Sequence, residues 1–185
     1  MGQNKALLPF IGQTLIEKVI SRIKVFSKEI LVTSNEPDLF DFLHIPVYAD
    51  LITGKGALSG LFTAFSVTRT PLVAVVACDM PFVNPQLLNA QIKMLIEQNT
   101  DGMVPRHAGG CEPFHAVYQR EICLEAVKSS LDREQKRADS WFPLVNMGFI
   151  EKEDIVRYDP AGHAFFNINS PEDYQQALLL ADREE

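Results

Sequence analysis

The chain has 185 residues, of which 46% are hydrophobic and 22% are charged. This is the balance of one soluble globular domain, long enough to bury a core without disulfide or metal support. Lysine and arginine total 17 against 24 aspartates and glutamates, and the resulting net charge of −7 argues against a broad nucleic-acid surface or an anionic membrane as partner.

Cysteine usage and hydropathy narrow the class further. Three cysteines without a C-x-x-C pair argue against a disulfide scaffold or a four-ligand zinc site and favour a reducing cytoplasm. No apolar run has the length of a membrane span, and no signal peptide is recognisable.

The first half of the chain alternates between helical and strand patterns. Apolar residues at helical spacing predict a helix from Leu15 to Phe26. The strongest predicted strand covers residues 71–77, and its apolar character on both faces is typical of a central strand in a parallel sheet. Between these we expect a strand at 29–34, a short helix at 38–43 and a strand at 45–48. Gly54, Gly56 and Gly60 then mark a loop and the start of a helix that ends near Thr68.

The second half continues this alternation. Asn84 and Pro85 predict a helix start, with Asn84 as the N-cap, and Ser170 to Asp173 predict a capping box for a last helix that ends near Ala181. We also expect strands at 102–105 and 114–118, a helix at 121–131, and extended stretches at 147–150 and 155–158. The alternation predicts a three-layer α/β fold with a mostly parallel sheet.

The start of the chain does not fit this pattern. A doubly wound sheet normally begins with a central strand, and the turn after that strand binds phosphate. Here the first predicted element after a loop is a helix. We therefore expect the central strand to be absent or to lie upstream of residue 1.

Polar residues that follow the predicted strands are the candidates for chemistry, because ligands bind at the carboxyl ends of strands in open α/β sheets. Asp79 directly follows the central strand and suits a hard cation such as Mg²⁺; the structural alternative is a cap or loop hydrogen bond. Asp50 precedes a glycine-bearing segment and fits either a ligand contact or a plain turn. Lys5 offers a point charge for phosphate, although most surface lysines are simply solvated.

Asn167 and Asn169 precede the last helix. Alternation along a short strand would place both amides on one side, whereas the structural alternative is that Asn169 satisfies local backbone groups. The histidines have no metal-ligand spacing, and no nucleophile–base motif is present, so covalent catalysis has no support.

Several segments together resemble the molybdenum cofactor guanylyltransferase family of the nucleotidyltransferase superfamily. Residues 1–17 resemble the second half of the superfamily signature L-A-G-G-x-S-x-R-M-G-x-x-K, and residues 78–82 (CDMPF) resemble its metal-binding aspartate segment. The narrower resemblance lies in Asp50 with residues 56–60 (GALSG), in residues 112–118 (EPFHAVY) and in residues 165–173 (FFNINSPED). The resemblance covers nearly the whole chain in the expected order.

The resemblance implies a nucleotide-diphospho-sugar transferase fold and the transfer of GMP from GTP to molybdopterin, with release of pyrophosphate. It implies that Lys5 contacts nucleotide phosphates and that Asp79 binds Mg²⁺, both as catalytic residues. It further implies that Asp50 contacts the nucleotide, that Thr33 and Asn35 border the base pocket, and that Asn167 and Asn169 lie on the pterin side.

The first half of the signature is missing, so we expect residues 1–185 to be a single nucleotidyltransferase domain without its first strand and Gly-rich loop. A fragment, a misassigned start codon and an inactive chain each explain this, and we favour the first two. A molybdopterin cytidylyltransferase and an inactive nucleotide-binding or interaction module are the alternative functions. The expected partners are GTP, molybdopterin and, transiently, proteins of cofactor synthesis or recipient enzymes, in the cytoplasm.

Overall fold

The computed structural model describes residues 4–27, 29–107 and 109–183, so the signature residues Met1 to Gln3 lie outside it. Its helices are α1 (Leu15–Ile23), α2 (Ala57–Val67), α3 (Pro85–Gln98), α4 (Arg120–Asp132), α5 (Lys152–Tyr158) and α6 (Pro171–Ala181). Its strands are β1 (Pro9–Phe10), β2 (Gln13–Thr14), β3 (Val32–Thr33), β4 (Val47–Tyr48), β5 (Leu72–Val76), β6 (Gly102–His107), β7 (Gly110–Cys111), β8 (His115–Gln119) and β9 (Met147–Glu151). Short 3-10 helices cover Lys5–Leu7, Pro37–Leu43 and Phe142–Leu144.

The main sheet is mixed. β8 runs antiparallel to both β5 and β6, whereas β9 runs parallel to β6. Consequently β5, β6 and β9 share one direction, as predicted, and β8 lies between β5 and β6 in the opposite direction. β3 and β4 form a separate parallel pair.

Helices cover both faces of this sheet. Val104 and Tyr118 belong to a core cluster with Leu61 of α2 and Val127 of α4. The neighbouring strand residues, Met103 of β6 and Val117 of β8, belong to a second core cluster. That cluster also contains Val19 of α1, Leu88 of α3 and Ile155 of α5. Because successive strand residues point to opposite faces, the two clusters confirm the predicted three layers.

Most predicted helix boundaries agree with the structure. Asn84 caps α3 by accepting from the backbone N–H of Leu87 at 3.0 Å, and Ser170 and Asp173 form the predicted capping box. Thr14 and Glu17 form a second capping box at the start of α1. α1 ends at Ile23, before the predicted Phe26, because the backbone N–H of Phe26 turns back to the carbonyl of Ile23.

The prediction of an extended stretch at 155–158 was wrong, because these residues belong to α5. Only Ile155 of this short helix is buried, while Val156 and Tyr158 are exposed. Two acidic residues lie in its first turn, and Arg157 pairs with Asp154 at 2.9 Å, one turn apart. These charges favour a helix over the extended conformation that was expected.

The strand edges of β3 and β5 face each other without pairing. In the part of the chain that the structure describes, β3 pairs only with β4 and β5 only with β8. A cleft of about 1360 Å³ lies between them, lined on one side by Ile23 of α1 and on the other by Leu61 of α2. The gap therefore has a strand edge on each side and a helix on each face.

No helix within residues 4–27, 29–107 and 109–183 combines the length and apolar character needed to cross a membrane.

Candidate active site

Lys5 is positioned by the short helix at the start of the described chain. The Asn4 side chain accepts from the backbone N–H of Ala6 at 3.2 Å and so caps the Lys5–Leu7 turn. The Lys5 ammonium Nζ then donates to Asn169 Oδ1 at 3.1 Å. Two candidates from opposite ends of the chain are thus in direct contact.

Asp79 lies in the turn that follows β5, at the carboxyl end of the strand. Its backbone carbonyl accepts from the N–H of Ile168 at 3.0 Å, which brings the 167–169 segment beside it. Burial raises the pKa of the Asp79 carboxyl, and its backbone hydrogen bond and the charge of Lys5 act in the opposite direction. This carboxylate lacks full solvation, and binding a cation would stabilise its charged form.

Asn167 and Asn169 both line the cleft, but the strand expected at their position is absent from the structure. The backbone N–H of Ile168 binds Asp79, and that of Asn169 donates to Asp173 Oδ2 at 2.9 Å, so neither is available to a strand partner. The expected alternation nevertheless holds, because Ile168 is fully buried between them. The Asn167 amide donates to the carbonyl of Phe165 at 3.2 Å.

Thr33, Asn35 and Asp50 form a second group at the end of β3 and β4. Asn35 Nδ2 donates to Asp50 Oδ2 at 3.0 Å, and the backbone N–H of Asp50 donates to Asn35 Oδ1 at 3.3 Å. A Cβ at Gly60 would lie 3.4 Å from Thr33 Oγ1 and 3.9 Å from Asp50 Oδ1. Asp50 was expected to face the segment from Gly54 to Gly56, whereas the glycine that its carboxylate approaches in the structure is Gly60.

The two groups line opposite walls of one cleft. Thr33, Asn35 and Asp50 lie on the wall formed by β3 and β4, and Asp79, Asn167 and Asn169 lie beyond β5. Lys5 reaches the second group through Asn169. All seven predicted residues therefore belong to one region, at the carboxyl ends of β3 and β5.

Two further residues line this cleft: Cys78, which follows the central strand but was given no role from the sequence, and Glu112, which sequence reasoning missed. Cys78 opens to the cleft, yet dense surrounding protein and the neighbouring Asp79 raise the pKa of its thiol to about 11, so it is protonated at neutral pH. Glu112 also lines the cleft and binds His107 Nε2 at 2.8 Å. The residues 112–118 had indicated the family, but nothing in their spacing distinguished Glu112 as a cleft residue.

The Asp79 carboxylate fits a hard divalent cation that takes most of its other ligands from substrate phosphates and water. Within residues 4–27, 29–107 and 109–183, no three His, Cys, Asp or Glu side chains are grouped to hold a metal. Mg²⁺ is commonly held by one or two carboxylates together with substrate phosphates and water. A single desolvated carboxylate at Asp79 matches that arrangement.

A strand-end cleft that combines a lysine, a desolvated carboxylate and several amides has the features of a nucleotide-binding α/β domain. The family model of the MobA-like NTP transferase domain matches residues 1–143. The chain belongs to this family.

Relatives and solved structures agree with this assignment. A protein of Pelotomaculum thermopropionicum named "Probable molybdenum cofactor guanylyltransferase" is 33% identical over 98% of this chain and 87% of its own length. A protein of Carboxydothermus hydrogenoformans with the same name is also 33% identical, over 97% of this chain and 89% of its own. The crystal structure of molybdopterin-guanine dinucleotide biosynthesis protein A from Archaeoglobus fulgidus has a TM-score of 0.85 and 23% identity, and the match covers 98% of this chain and 92% of that one. This likeness confirms the predicted nucleotidyltransferase fold.

Proposed function

We propose that this chain transfers GMP from GTP to molybdopterin and releases pyrophosphate. The observation that carries the proposal is the convergence of Lys5, Asp79 and Asn169 in one cleft of a MobA-like domain. The relatives named as molybdenum cofactor guanylyltransferases support the choice of nucleotide and acceptor.

The reaction that we propose is an in-line displacement. An oxygen of the acceptor's terminal phosphate forms a bond to the α-phosphorus of GTP, and the bond from that phosphorus to the bridging oxygen of pyrophosphate breaks. The attacking oxygen is already anionic, so no protein base has to remove a proton. The protein has to position the phosphates and offset their charge.

Lys5 and Asp79 stabilise the phosphate charge in two different ways. The Lys5 ammonium, oriented by Asn169, offsets negative charge on the triphosphate. Asp79 would hold Mg²⁺, which, when bound, supplies Lewis-acid stabilisation of phosphate charge. Thr33, Asn35 and Asp50 would contact the nucleotide, and Asn167 and Asn169 would contact the pterin side, where Asn169 also orients Lys5.

We also propose that a strand completes the sheet between β3 and β5. The gap has an unpaired strand edge on each side and helices α1 and α2 on its faces. Lys5 lies beside Asp79 and Asn169, so the described chain begins near the carboxyl end of this gap. A strand of the same polypeptide that precedes residue 4 would fill the gap in one direction with β3 and β5 and would carry the Gly-rich loop.

We place the reaction in the cytoplasm, with molybdopterin delivered by proteins of cofactor synthesis and the product passed to recipient enzymes. The deciding experiment incubates the protein with molybdopterin, Mg²⁺ and either GTP or CTP, and measures pyrophosphate release and the dinucleotide formed. Formation of the guanine dinucleotide from GTP supports the proposal. Product from CTP alone, or nucleotide binding without any product, contradicts it.

A further inference from the structure

Glu112 is a carboxylate of the cleft to which the proposed reaction gives no role. The backbone N–H of Ala77 donates to the carbonyl of Phe114 at 3.0 Å, so the segment from Glu112 to Phe114 runs beside the end of β5. The same end of β5 leads to Asp79. Glu112 therefore lines the cleft near the end of β5 that leads to Asp79.

His107 orients this carboxylate through one of its ring nitrogens. The backbone N–H of Gly109 donates to His107 Nδ1 at 3.0 Å, so Nδ1 carries no proton in the neutral ring. The proton then lies on Nε2, which donates to Glu112 Oε1 at 2.8 Å. Because His107 donates to only one oxygen, the second oxygen of Glu112 keeps its acceptor capacity.

An aromatic contact joins this pair to the proposed pterin side. The His107 ring stacks on Phe165, with centroids 5.4 Å apart and planes 15° from parallel. Phe165 is held in turn through its carbonyl by Asn167. Glu112, His107, Phe165 and Asn167 thus form one continuous set of contacts along the cleft wall.

A carboxylate with free acceptor capacity at the wall of a cleft recognises a ligand edge that presents two adjacent N–H donors. The 2-amino-4-oxo-pyrimidine ring has such an edge, and it occurs both in pterins and in guanine. Two parallel charge-assisted hydrogen bonds to one carboxylate give affinity together with a fixed orientation. The contacts that link Glu112 through His107 and Phe165 to Asn167 favour the pterin over the guanine.

We propose that Glu112, positioned by His107, binds the 2-amino-4-oxo-pyrimidine edge of the pterin acceptor. This inference rests on the proposed function and deepens it by assigning a specificity-determining residue on the acceptor side. His107 acts through Glu112 as a positioning residue.

The test compares binding of four probes to the wild type, to Glu112→Gln and to the control Glu125→Gln, whose carboxylate is exposed on α4. The probes are 6-hydroxymethylpterin, 6-hydroxymethyllumazine, which has an oxo group in place of the 2-amino group, GTP, and ITP, which lacks the 2-amino group. We expect Glu112→Gln to weaken pterin binding about 10- to 100-fold. Lumazine, GTP and ITP should change less than about threefold, and Glu125→Gln should change none of the four.

His107 variants separate positioning from structural support. His107→Gln retains an N–H donor at the ε position, whereas His107→Leu removes it. We expect the leucine variant to weaken pterin binding and the glutamine variant to restore much of it, with GTP binding unchanged in both. Equal loss of pterin and GTP binding in His107→Leu would indicate general disruption and would overturn the positioning role.

Several outcomes contradict the inference. Unchanged pterin binding in Glu112→Gln, an equal loss for pterin and lumazine, or no pterin binding by a wild type that binds GTP each overturns it. A loss for GTP but not ITP assigns Glu112 to guanine and overturns its assignment to the acceptor. Failure of the proposed function is distinguishable, because it appears in the wild type as absent GTP binding or absent dinucleotide formation, whatever residue 112 is.

Discussion

Lys5 and Asn169 are 164 residues apart in the chain, and the ammonium of one donates to the amide oxygen of the other at 3.1 Å. The contact joins a residue implied in phosphate binding to one implied in pterin binding. Both Asn167 and Asn169 were expected to act on the pterin acceptor alone. Because Asn169 also contacts Lys5, its removal should affect the nucleotide as well.

We predict different effects for Asn167→Ala and Asn169→Ala. Asn169→Ala releases Lys5 and should weaken both GTP and acceptor binding, by about 3- to 10-fold for one solvent-accessible charged hydrogen bond. Asn167→Ala should weaken acceptor binding and leave GTP binding within about twofold, because the Asn167 amide contacts only its own segment. Titration of each ligand separately measures both.

A double-mutant cycle with Lys5→Met checks the cause. If Asn169 acts on GTP through Lys5, the two substitutions should be non-additive, with a coupling energy of about 0.5–1 kcal/mol for GTP binding. Additive effects would show that Asn169 contributes independently of the ammonium.

Asp79→Asn should abolish nucleotidyl transfer and leave the protein at least as stable. Asparagine preserves the shape of the side chain but removes the charge that would hold a cation against the triphosphate, and losses of about 100-fold or more are typical when one electrostatic element is removed. Because burial raises the pKa of this carboxyl, removing its charge should not lower the melting temperature. Turnover at saturating Mg²⁺ and thermal unfolding test the two parts.

Asp41→Asn serves as the control, since Asp41 is exposed on the 3-10 helix far along the chain from the cleft turn. A lowered melting temperature with near wild-type turnover in Asp79→Asn would show that the carboxylate is a structural cap and not a metal ligand.

Filling the gap between β3 and β5 should stabilise the fold. Buried strand edges carry backbone groups that are costly when unpaired, so a protein extended upstream through the preceding reading frame should melt several degrees higher than one that starts at residue 1 and should bind GTP more tightly. Hydrogen exchange at the amides of β5 would show the protection directly. A proline placed in the middle of the added strand should cancel the gain, and equal stability and affinity of the short and long proteins would refute the proposal.

Acid should destabilise the protein through His115. Burial lowers the pKa of this fully buried ring to about 4, opposed by a backbone hydrogen bond and by Asp159, and its Nε2 accepts from the N–H of Asn84 at 3.1 Å. Between the unfolded pKa near 6.5 and the folded value, only the unfolded chain binds the proton. The free energy of unfolding should therefore fall as pH drops, by about 2 kcal/mol at pH 5.

Denaturant titrations at pH 7, 6 and 5 measure this slope. His115→Gln keeps an acceptor for Asn84 and should flatten the dependence of the unfolding free energy on pH. His44→Asn is the control, because His44 is exposed and its left-handed backbone suits asparagine; it should leave the slope unchanged. Work in an Asp79→Asn background removes the opposing trend of a carboxyl whose pKa is raised. An unchanged slope in His115→Gln would assign the pH dependence to other groups.

Periodicity and capping signals predicted most of the helices, because local patterns determine where a helix starts and which face is buried. Pairing could not be predicted in the same way. The run at 29–34 contracts to Val32–Thr33, since only the part opposite β4 finds a partner. The insertion of β8 between β5 and β6 depends on contacts between distant segments, which no local pattern encodes.

The candidate site shows the same division. The position of Asp79 after an apolar strand predicted its place at the cleft, and alternation predicted that Asn167 and Asn169 share one side. That these residues belong to one site was implied by the resemblance to the family. Glu112 is oriented by His107, and His107 in turn accepts from the N–H of Gly109. Only the folded geometry reveals these contacts.

The contact between Lys5 and Asn169 also bears on synthesis. A ribosome adds residues at ~5–20 per second, so Asn169 follows Lys5 after on the order of 10–30 s, and α6 follows later still. The hairpin of β1 and β2 also needs the C-terminal residues for its packing. Tyr174 of α6 donates to the carbonyl of Pro9, and Phe10 packs with Ile168 and Ala177. A nascent chain therefore carries an incomplete phosphate site until its last helix emerges, and chains stalled before that point should retain less GTP in a filter-binding assay than completed chains.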